Sequence, residues 1–477
     1  MKNIAQKIQK NAPLFWAIFT FVIAKILLWD TYFFWDSVST LSIPAHFLYE
    51  NRFSSFAFPT NIIDDNILVS SILAGCWTIF GRSLFITHLL FSAIGIALIY
   101  QLYRLCRYFV QKKEDFPFIF FLVLSETALV TQSLLIMTDI VILLFSIMAI
   151  RYMLEKRQLS FILSLFFLAM VRERGLIHCA GIGLSYYLIL SHENAWKKPY
   201  YTLKKAILPF IPVIIYFIGF SVYRFYLNDS FHLIRQNTPW VEGREWVDAK
   251  LFAINTASLI RYFLDYGKWG IIFTFVFLFF KYGWRNIFSA QQRVLWTLLL
   301  CTLGVLALVC LPLNNSFGPR YFILQYIFIS LIIGGIIFHL LKRKQAIILC
   351  LFLSLGLWSG HFIVYPERVS MGWDATLAHL PYYQLRKDAL KYLDENNIPV
   401  HETISFFPTY TRAKYIEINN EERTFCPAEK IENANYLLHS NISNSSDKFL
   451  DELTENWVVQ KEFRKRGVFI RVYHKKM

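Results

Sequence analysis

Charged residues are scarce in this chain of 477 residues: Asp, Glu, Lys and Arg make up 17% of it, whereas soluble proteins average about 25%. Hydrophobic residues make up 56% and aromatic residues 18%. This composition excludes a disordered or fibrous protein. Apolar runs recur through the first three quarters of the chain, so lipid must be the solvent for most of it. The sequence therefore predicts a polytopic membrane protein.

Motifs for disulfides, metals and nucleotides are also missing. The chain has seven Cys, but no CxxC pair or Cys/His cluster has the spacing of a zinc site or a disulfide framework. No Walker loop, HExxH or GxGxxG motif occurs. The sequence leaves a divalent metal ion open as a cofactor and assigns it no ligands.

Acidic residues are outnumbered only in the apolar part of the chain. Residues 366–477 contain 16 basic and 16 acidic residues, so the whole formal charge of +15 belongs to residues 1–365. Positive charge in the short loops of a membrane domain is a signal of membrane topology. A nucleic-acid partner is therefore not expected.

Eleven apolar stretches have the character of membrane helices, although several are nearer 15 residues than the usual ~20. The first follows a basic N-terminal arm and has no small-residue cleavage site after it, which indicates a retained helix. The stretches run at 14–30, 83–103, 116–134, 138–153, 158–171, 175–191, 206–222, 267–282, 294–312, 320–340 and 345–364.

The distribution of basic residues predicts the orientation of the chain. With a cytoplasmic N-terminus, the alternate loops on that side hold 20 Lys and Arg against four acidic residues, as expected of cytoplasmic loops. Residues 66–80 are then an amphipathic helix at the interface and do not span the membrane. An odd number of spans places the C-terminal tail outside the cytoplasm, and the membrane is interpreted as a bacterial inner (plasma) membrane.

The tail has the pattern of a soluble α/β domain. Helices are predicted at 383–396 and 447–456, and strands at 403–407, 434–438 and 467–473. The expected fold is mainly α: a polytopic membrane bundle of about 11 transmembrane helices with interfacial helices (1–364), followed by a small C-terminal α/β extracytoplasmic domain (365–477).

Several ionisable residues lie where hydropathy disfavours them, all in the outer half of the predicted bundle. A carboxylate there can act as a general base toward a hydroxyl, whereas Arg side chains suit a phosphate and its developing charge. This combination favours transfer from a phosphate-activated lipid donor. The residues are Asp36, Asp64, Asp65, Glu126, Asp139, Arg172, Glu173, Arg174 and Arg320.

A set of motifs resembles the GT-C superfamily of polyprenyl-phosphate-sugar glycosyltransferases, on the side of the protein O-mannosyltransferases and the aminoarabinose transferases (glycosyltransferase family 39-like). The resemblance covers residues 1 to about 330. The motifs are Trp-Asp-Ser-Val-Ser-Thr at 35–40, Pro-Ala at 44–45, an Asp-led helix at 65–81, His-Leu-Leu at 88–90, Met-Thr-Asp at 137–139, Arg-Glu-Arg-Gly at 172–175 and Gly-Pro-Arg-Tyr-Phe at 318–322.

The resemblance implies an inverting transfer at the extracytoplasmic face, in which Asp36 is the general base toward the acceptor hydroxyl. The expected partners are a polyprenyl-phosphate sugar donor, the lipid bilayer and an acceptor that is a glycolipid, a polysaccharide or a protein. The expected substrate-binding residues are Asp65, Asp139, Arg172, Arg174 and Arg320.

Structural explanations remain open for most of these residues. Asp65 and Asp139 could cap helices, Arg172 and Arg174 could be snorkelling interfacial residues beside Glu173, and Glu126 could pair with Lys25. The second Trp-Asp pair, at 373–374, is interpreted as a coincidence.

Two other functions compete with the enzyme. A transporter or flippase of lipid-linked glycans would show inverted or parallel repeats and broken helices near the midplane. Neither kind of repeat is visible in the sequence, and the charges gather at one face. A receptor-like protein would bind its partner with the tail.

Overall fold

The computed structural model is mainly helical and describes most of the chain. The described residues are 2–59, 62–63, 66–194, 196–197, 199–228, 245–287, 292–314, 317–428, 431 and 434–476.

Helices account for all of the described regular structure before residue 381. They are α1 (Lys2–Leu27), α2 (Ile43–Glu50), α3 (Ile67–Phe80), α4 (Leu84–Phe109), α5 (Phe116–Leu124), α6 (Thr127–Leu134), α7 (Asp139–Leu154), α8 (Gln158–Val171), α9 (Glu173–Glu193), α10 (Pro199–Ile207), α11 (Ile211–Asn228), α12 (Ala249–Leu264), α13 (Trp269–Tyr282), α14 (Trp284–Ile287), α15 (Arg293–Cys310), α16 (Ile323–Leu340) and α17 (Arg343–Ser359), joined by short 3₁₀ and π turns.

The number of spans differs from the expected one. Five helical segments of the described chain are long and apolar enough to cross a membrane, or seven if each of two bent helix pairs is one span, so eleven spans are not confirmed. Some predicted spans are too short to cross a membrane alone: α8 has the predicted bounds and 14 residues, and a helix of that length rises only about 21 Å against a hydrocarbon core of about 30 Å. The segments are Leu84–Phe109, Pro199–Tyr226, Arg293–Cys310, Pro319–Leu340 and Arg343–Phe362, with the pairs α5–α6 and α12–α13.

The two bent pairs meet at a buried ion pair. The α5–α6 pair bends by 65° and the α12–α13 pair by 87°. Glu126 lies at the first bend and Lys268 at the second, with 3.3 Å between Oε1 and Nζ and side chains only 1% and 5% exposed. The suggested pairing of Glu126 with Lys25 is therefore wrong. Lys25 donates instead to the carbonyl oxygen of Leu134, at 2.8 Å.

The basic loops gather at one end of the bundle. Nη1 of Arg343, at the start of α17, lies 3.4 Å from Oε2 of Glu114 in the loop after α4. Nη2 of Arg104 in α4 lies 3.2 Å from Oε1 of Glu155, which follows α7. The helices α7 and α16 both end at these loops, so their first residues lie at the opposite end of the bundle. That opposite end carries Asp139, Arg174 and Arg320, three of the ionisable residues singled out in the sequence.

The tail folds around a mixed five-stranded sheet. Its helices are α18 (Pro381–Glu395), α19 (Ala413–Glu417) and α20 (Asp447–Asn456), and its strands are β1 (Thr403–Ser405), β2 (Cys426–Pro427), β3 (Tyr436–Ser440), β4 (Trp457–Lys465) and β5 (Val468–Lys475). The order is β2-β1-β3-β5-β4, with β1 parallel to β2 and β3, and β5 antiparallel to β3 and β4. The three predicted strands are present; β2 and the long exposed β4 were missed.

The tail packs onto the segment that follows α1. The amide of Phe33 donates to the carbonyl oxygen of Ile416, at 3.1 Å, and Phe33 itself is only 1% exposed. Phe34 stacks on His379, with 4.5 Å between ring centroids. The segment that follows α1 is therefore held in place by the tail and does not project freely into solvent.

Candidate active site

Asp36 is presented by a tight turn between buried aromatic residues. Trp35 has φ +49°, a left-handed conformation that bulky residues rarely adopt. Ser37 fixes the turn, because its Oγ accepts from the amide of Phe34 at 2.9 Å and donates to the carbonyl oxygen of Phe34 at 2.7 Å. The turn aims the Asp36 side chain, 18% exposed, at Arg320.

The Arg-Glu-Arg-Gly motif joins α8 to α9. Gly175 is required there because a Cβ at that position would lie 1.9 Å from the carbonyl oxygen of Leu168. The tight packing places Arg174 in the first turn of α9, where Nη1 donates to the carboxylate of Asp139, the first residue of α7. Asp139 is thus an ion-pair partner of Arg174, and its side chain makes no capping hydrogen bond to α7.

Arg320 connects the carboxylates of the site. It lies in the 3₁₀ turn Pro319–Phe322 before α16, with a side chain 6% exposed. Its Nη2 donates to Asp36 and its Nη1 to Asp374, whereas Nε lies 3.6 Å from Asp139. The structure therefore brings together four residues predicted from the sequence, namely Asp36, Asp139, Arg174 and Arg320.

Asp374 belongs to this cluster, and its dismissal as a coincidence is wrong. It lies in the 3₁₀ turn Trp373–Ala375 of the tail, and Gln132 of α6 donates to its carbonyl oxygen at 2.8 Å. The repeated Trp-Asp dipeptide at 35–36 and 373–374 was the available signal. The two dipeptides come together only because segments more than 330 residues apart in the chain both contact Arg320. A local sequence pattern cannot predict such a contact.

Buried donor groups remain open in the cluster. Among the described residues, neither Nη2 of Arg174 nor Nε of Arg320 has a hydrogen-bond acceptor. The Arg174 guanidinium lies over the ring of Tyr321, 3.9 Å from its centroid, which orients it by a cation–π contact. Buried guanidinium nitrogens without acceptors are strong candidates for binding an anion.

The charges of the cluster control the ionisation of Asp36. Burial alone would raise the pKa of this carboxyl group, but Arg320 and Arg172, with a smaller effect of Arg174, hold the pKa below its ordinary value. Asp36 is therefore ionised throughout the neutral range and can accept a proton. Arg172 thus lies close enough to act on Asp36 electrostatically, whereas its predicted role in substrate binding stays a prediction.

Two expectations have no structural counterpart here. Asp65, predicted to bind substrate, and its neighbour Asp64 lie outside the described residues, and the described N-cap of α3 is Asn66. Within the described ranges, no group of three or more His, Cys, Asp and Glu side chains is arranged to hold a metal ion. No ligand set is therefore assigned to a divalent ion.

Comparison with solved structures finds this architecture in ArnT from Cupriavidus metallidurans. The match to the crystal structure of ArnT bound to undecaprenyl phosphate has a TM-score of 0.54 and 8% sequence identity, and it covers 95% of this chain and 97% of ArnT. The match to ArnT in the apo state has a TM-score of 0.52 and 9% identity, with the same coverage. No family model and no curated protein sequence matches the chain.

Proposed function

We propose, starting from the GT-C glycosyltransferase-like fold of this chain, that it is a membrane glycosyltransferase with a polyprenyl-phosphate-linked sugar donor. One observation carries the proposal: an ionised carboxylate, Asp36, shares a half-buried site with the guanidinium groups of Arg174 and Arg320. A general base and a phosphate-binding group are the two components that such a transfer requires.

In the proposed reaction, Asp36 takes the proton of the acceptor hydroxyl as its oxygen attacks the anomeric carbon. The bond between that carbon and the phosphate oxygen breaks, and its electron pair leaves with the polyprenyl phosphate. Attack from the opposite face inverts the anomeric configuration. Arg172, Arg174 and Arg320 stabilise the charge that grows on the departing phosphate. The acceptor is a glycolipid, a polysaccharide or a protein.

The ArnT likeness supports the donor class, because that protein was crystallised with undecaprenyl phosphate. The helices long and apolar enough to cross a membrane support integral membrane placement. At 8% identity the likeness does not extend to the sugar, so the proposal leaves the sugar open.

The transporter alternative gains one observation from the structure, since two helix pairs are broken, as they are in many transporters. The breaks are nevertheless filled: the Thr127 hydroxyl shares its proton between the carbonyl oxygens of Tyr266 and Leu357, at 2.9 and 2.8 Å. The cavity beside Glu126 and Lys268 measures only about 10 Å³. Around Glu126 and Lys268 the bends are therefore tightly packed, which favours a stabilising role for them there.

Mass analysis of cell-surface glycans and lipids, with and without this chain, tests the proposal. The expected result is the loss of a sugar-sized mass from one acceptor class when the chain is absent. Purified protein mixed with membrane lipids carrying that donor should restore the mass. Restoration only in sealed vesicles, with no covalent change in solubilised lipid, would favour the transporter instead.

We also propose that the N-terminus is cytoplasmic and that residues 365–477 form the extracytoplasmic domain. The clustering of basic loops at the end of the bundle opposite the site supports this orientation. A reporter active only in the cytoplasm, fused after Met477, should be silent, whereas the same reporter placed in the loop after α7 should be active. A strong signal from the C-terminal fusion would refute the orientation.

A further inference from the structure

Two carboxylates accept hydrogen bonds from Arg320, and a third lies near its Nε. Nη2 donates to Asp36 and Nη1 to Asp374, and Nε lies 3.6 Å from Asp139. A phosphate is bound best by two parallel N–H groups of one guanidinium. Arg320 can present such a pair to a phosphate only if one carboxylate moves away.

Asp374 is the carboxylate most free to move. Asp139 is also bound by Arg174, and Asp36 must stay in the site if it is the base. Among the described residues, Arg320 is the only basic partner of Asp374. Asp374 is also the one member of the trio that belongs to the tail.

We propose that Asp374 is a positioning residue that holds Arg320 until the donor phosphate displaces it, and that its return helps to expel the polyprenyl phosphate product. This inference rests on the proposed function. Asp36, Asp139 and Asp374 with Arg174 and Arg320 give the cluster a formal charge of −1, which the nearby Arg172 offsets. An entering phosphate adds negative charge, and withdrawal of Asp374 from Arg320 removes a like charge from its immediate neighbourhood.

The backbone around Asp374 is fastened, so the displacement is confined to its side chain. Asn444 binds both the amide and the carbonyl group of Met371, at 3.0 and 2.9 Å. Tyr266 accepts from the amide of Gly372 at 2.8 Å, and Gln132 donates to the carbonyl oxygen of Asp374 at 2.8 Å. Gly372 also packs on the ring of Pro319, next to Arg320, so closely that a Cβ would lie 2.8 Å from it.

The test is the affinity of the purified full-length protein for undecaprenyl phosphate. Removing a like charge a few ångströms from the phosphate should tighten binding at least about tenfold, so Asp374→Asn should lower Kd by that factor. Asp374→Glu should restore nearly wild-type Kd. Arg320→Lys keeps the positive charge but loses the two parallel N–H groups of the guanidinium, so it should raise Kd.

Turnover gives a second measurement that a purely structural role would not change in this way. Asp374→Asn should keep a rapid first turnover and then slow down, because product release becomes limiting, and inhibition by added undecaprenyl phosphate should become stronger. Tyr266→Phe removes the hydrogen bond to Gly372 without changing a charge in the cluster. It should shift Kd in the same direction by a smaller factor, and it serves as the test if Asp374→Asn does not fold.

The outcomes separate this inference from the proposed function. If the wild type binds undecaprenyl phosphate and Asp374→Asn binds it equally or more weakly, the inference is wrong and the proposed function stands. If Asp374→Asn is misfolded and Tyr266→Phe binds no more tightly than the wild type, the inference is also rejected. If no variant binds undecaprenyl phosphate and the wild type transfers no sugar, both fail.

Discussion

Replacing Asp36 by Asn should lower the rate of sugar transfer by about 10²- to 10⁴-fold, the usual contribution of a positioned general base. Asn keeps the shape of the side chain but cannot accept the proton of the acceptor hydroxyl. Binding of the lipid donor should survive, because Arg174 and Arg320 remain and the site loses one negative charge. The measurement is single-turnover transfer with a labelled donor, beside equilibrium binding of undecaprenyl phosphate.

The matched control for this substitution is Asp30→Asn. Asp30 belongs to the same outer segment, but its side chain is 66% exposed and lies 3.8 Å from Lys387, so its loss should leave transfer within a few-fold of wild type. Asp374→Asn, which the sequence alone would have favoured as the control, is unsuitable because Asp374 binds Arg320.

Correct insertion has to be shown before the rate is interpreted, because Asp36 follows the buried Phe33 and Phe34 and binds Arg320. Near-full transfer by correctly inserted Asp36→Asn would move the base elsewhere. Asp139 would then be the next candidate for the general base among the described residues. The role that the GT-C resemblance implies for Asp36 would be refuted.

Hydropathy and charge predicted the membrane bundle and the collection of basic loops at one end, because both depend on local composition. They did not predict where every helix begins and ends. The stretch 116–134 reads as one apolar segment, yet the structure divides it at Glu126, whose carboxylate accepts from the amide of Leu129 at 2.7 Å and caps α6. An ionisable residue inside an apolar stretch was the visible signal of the break.

The candidate site was predicted in part for a similar reason. Asp36, Asp139, Arg174 and Arg320 are anomalous in their own apolar surroundings, so each could be selected without knowledge of the fold. Asp374 lies in a polar tail, where an Asp is unremarkable, and only the packing of that tail on Arg320 gives it a role. The sequence therefore indicated the membrane half of the site and missed the half supplied by the tail.

Lys268→Met should destabilise the protein by about 3–5 kcal/mol, the usual cost of breaking a buried ion pair by removing one partner. The substitution leaves the carboxylate of Glu126, 1% exposed, without its counter-ion where the two bent helix pairs meet. The measurement is the free energy of unfolding in detergent. Lys391→Met is the matched control, because Lys391 pairs with Glu395 at 3.6 Å on the surface, where such pairs contribute about 0–1 kcal/mol.

The double variant Glu126→Gln with Lys268→Met distinguishes a pairing requirement from a packing requirement. The Gln oxygen can still accept from the amide of Leu129, and neither buried charge remains, so most of the lost stability should return. Transfer activity should return with it, because the pair fixes the bends that position α6 and α13. A double variant as unstable as Lys268→Met alone would show that the charges themselves are not what the bends require.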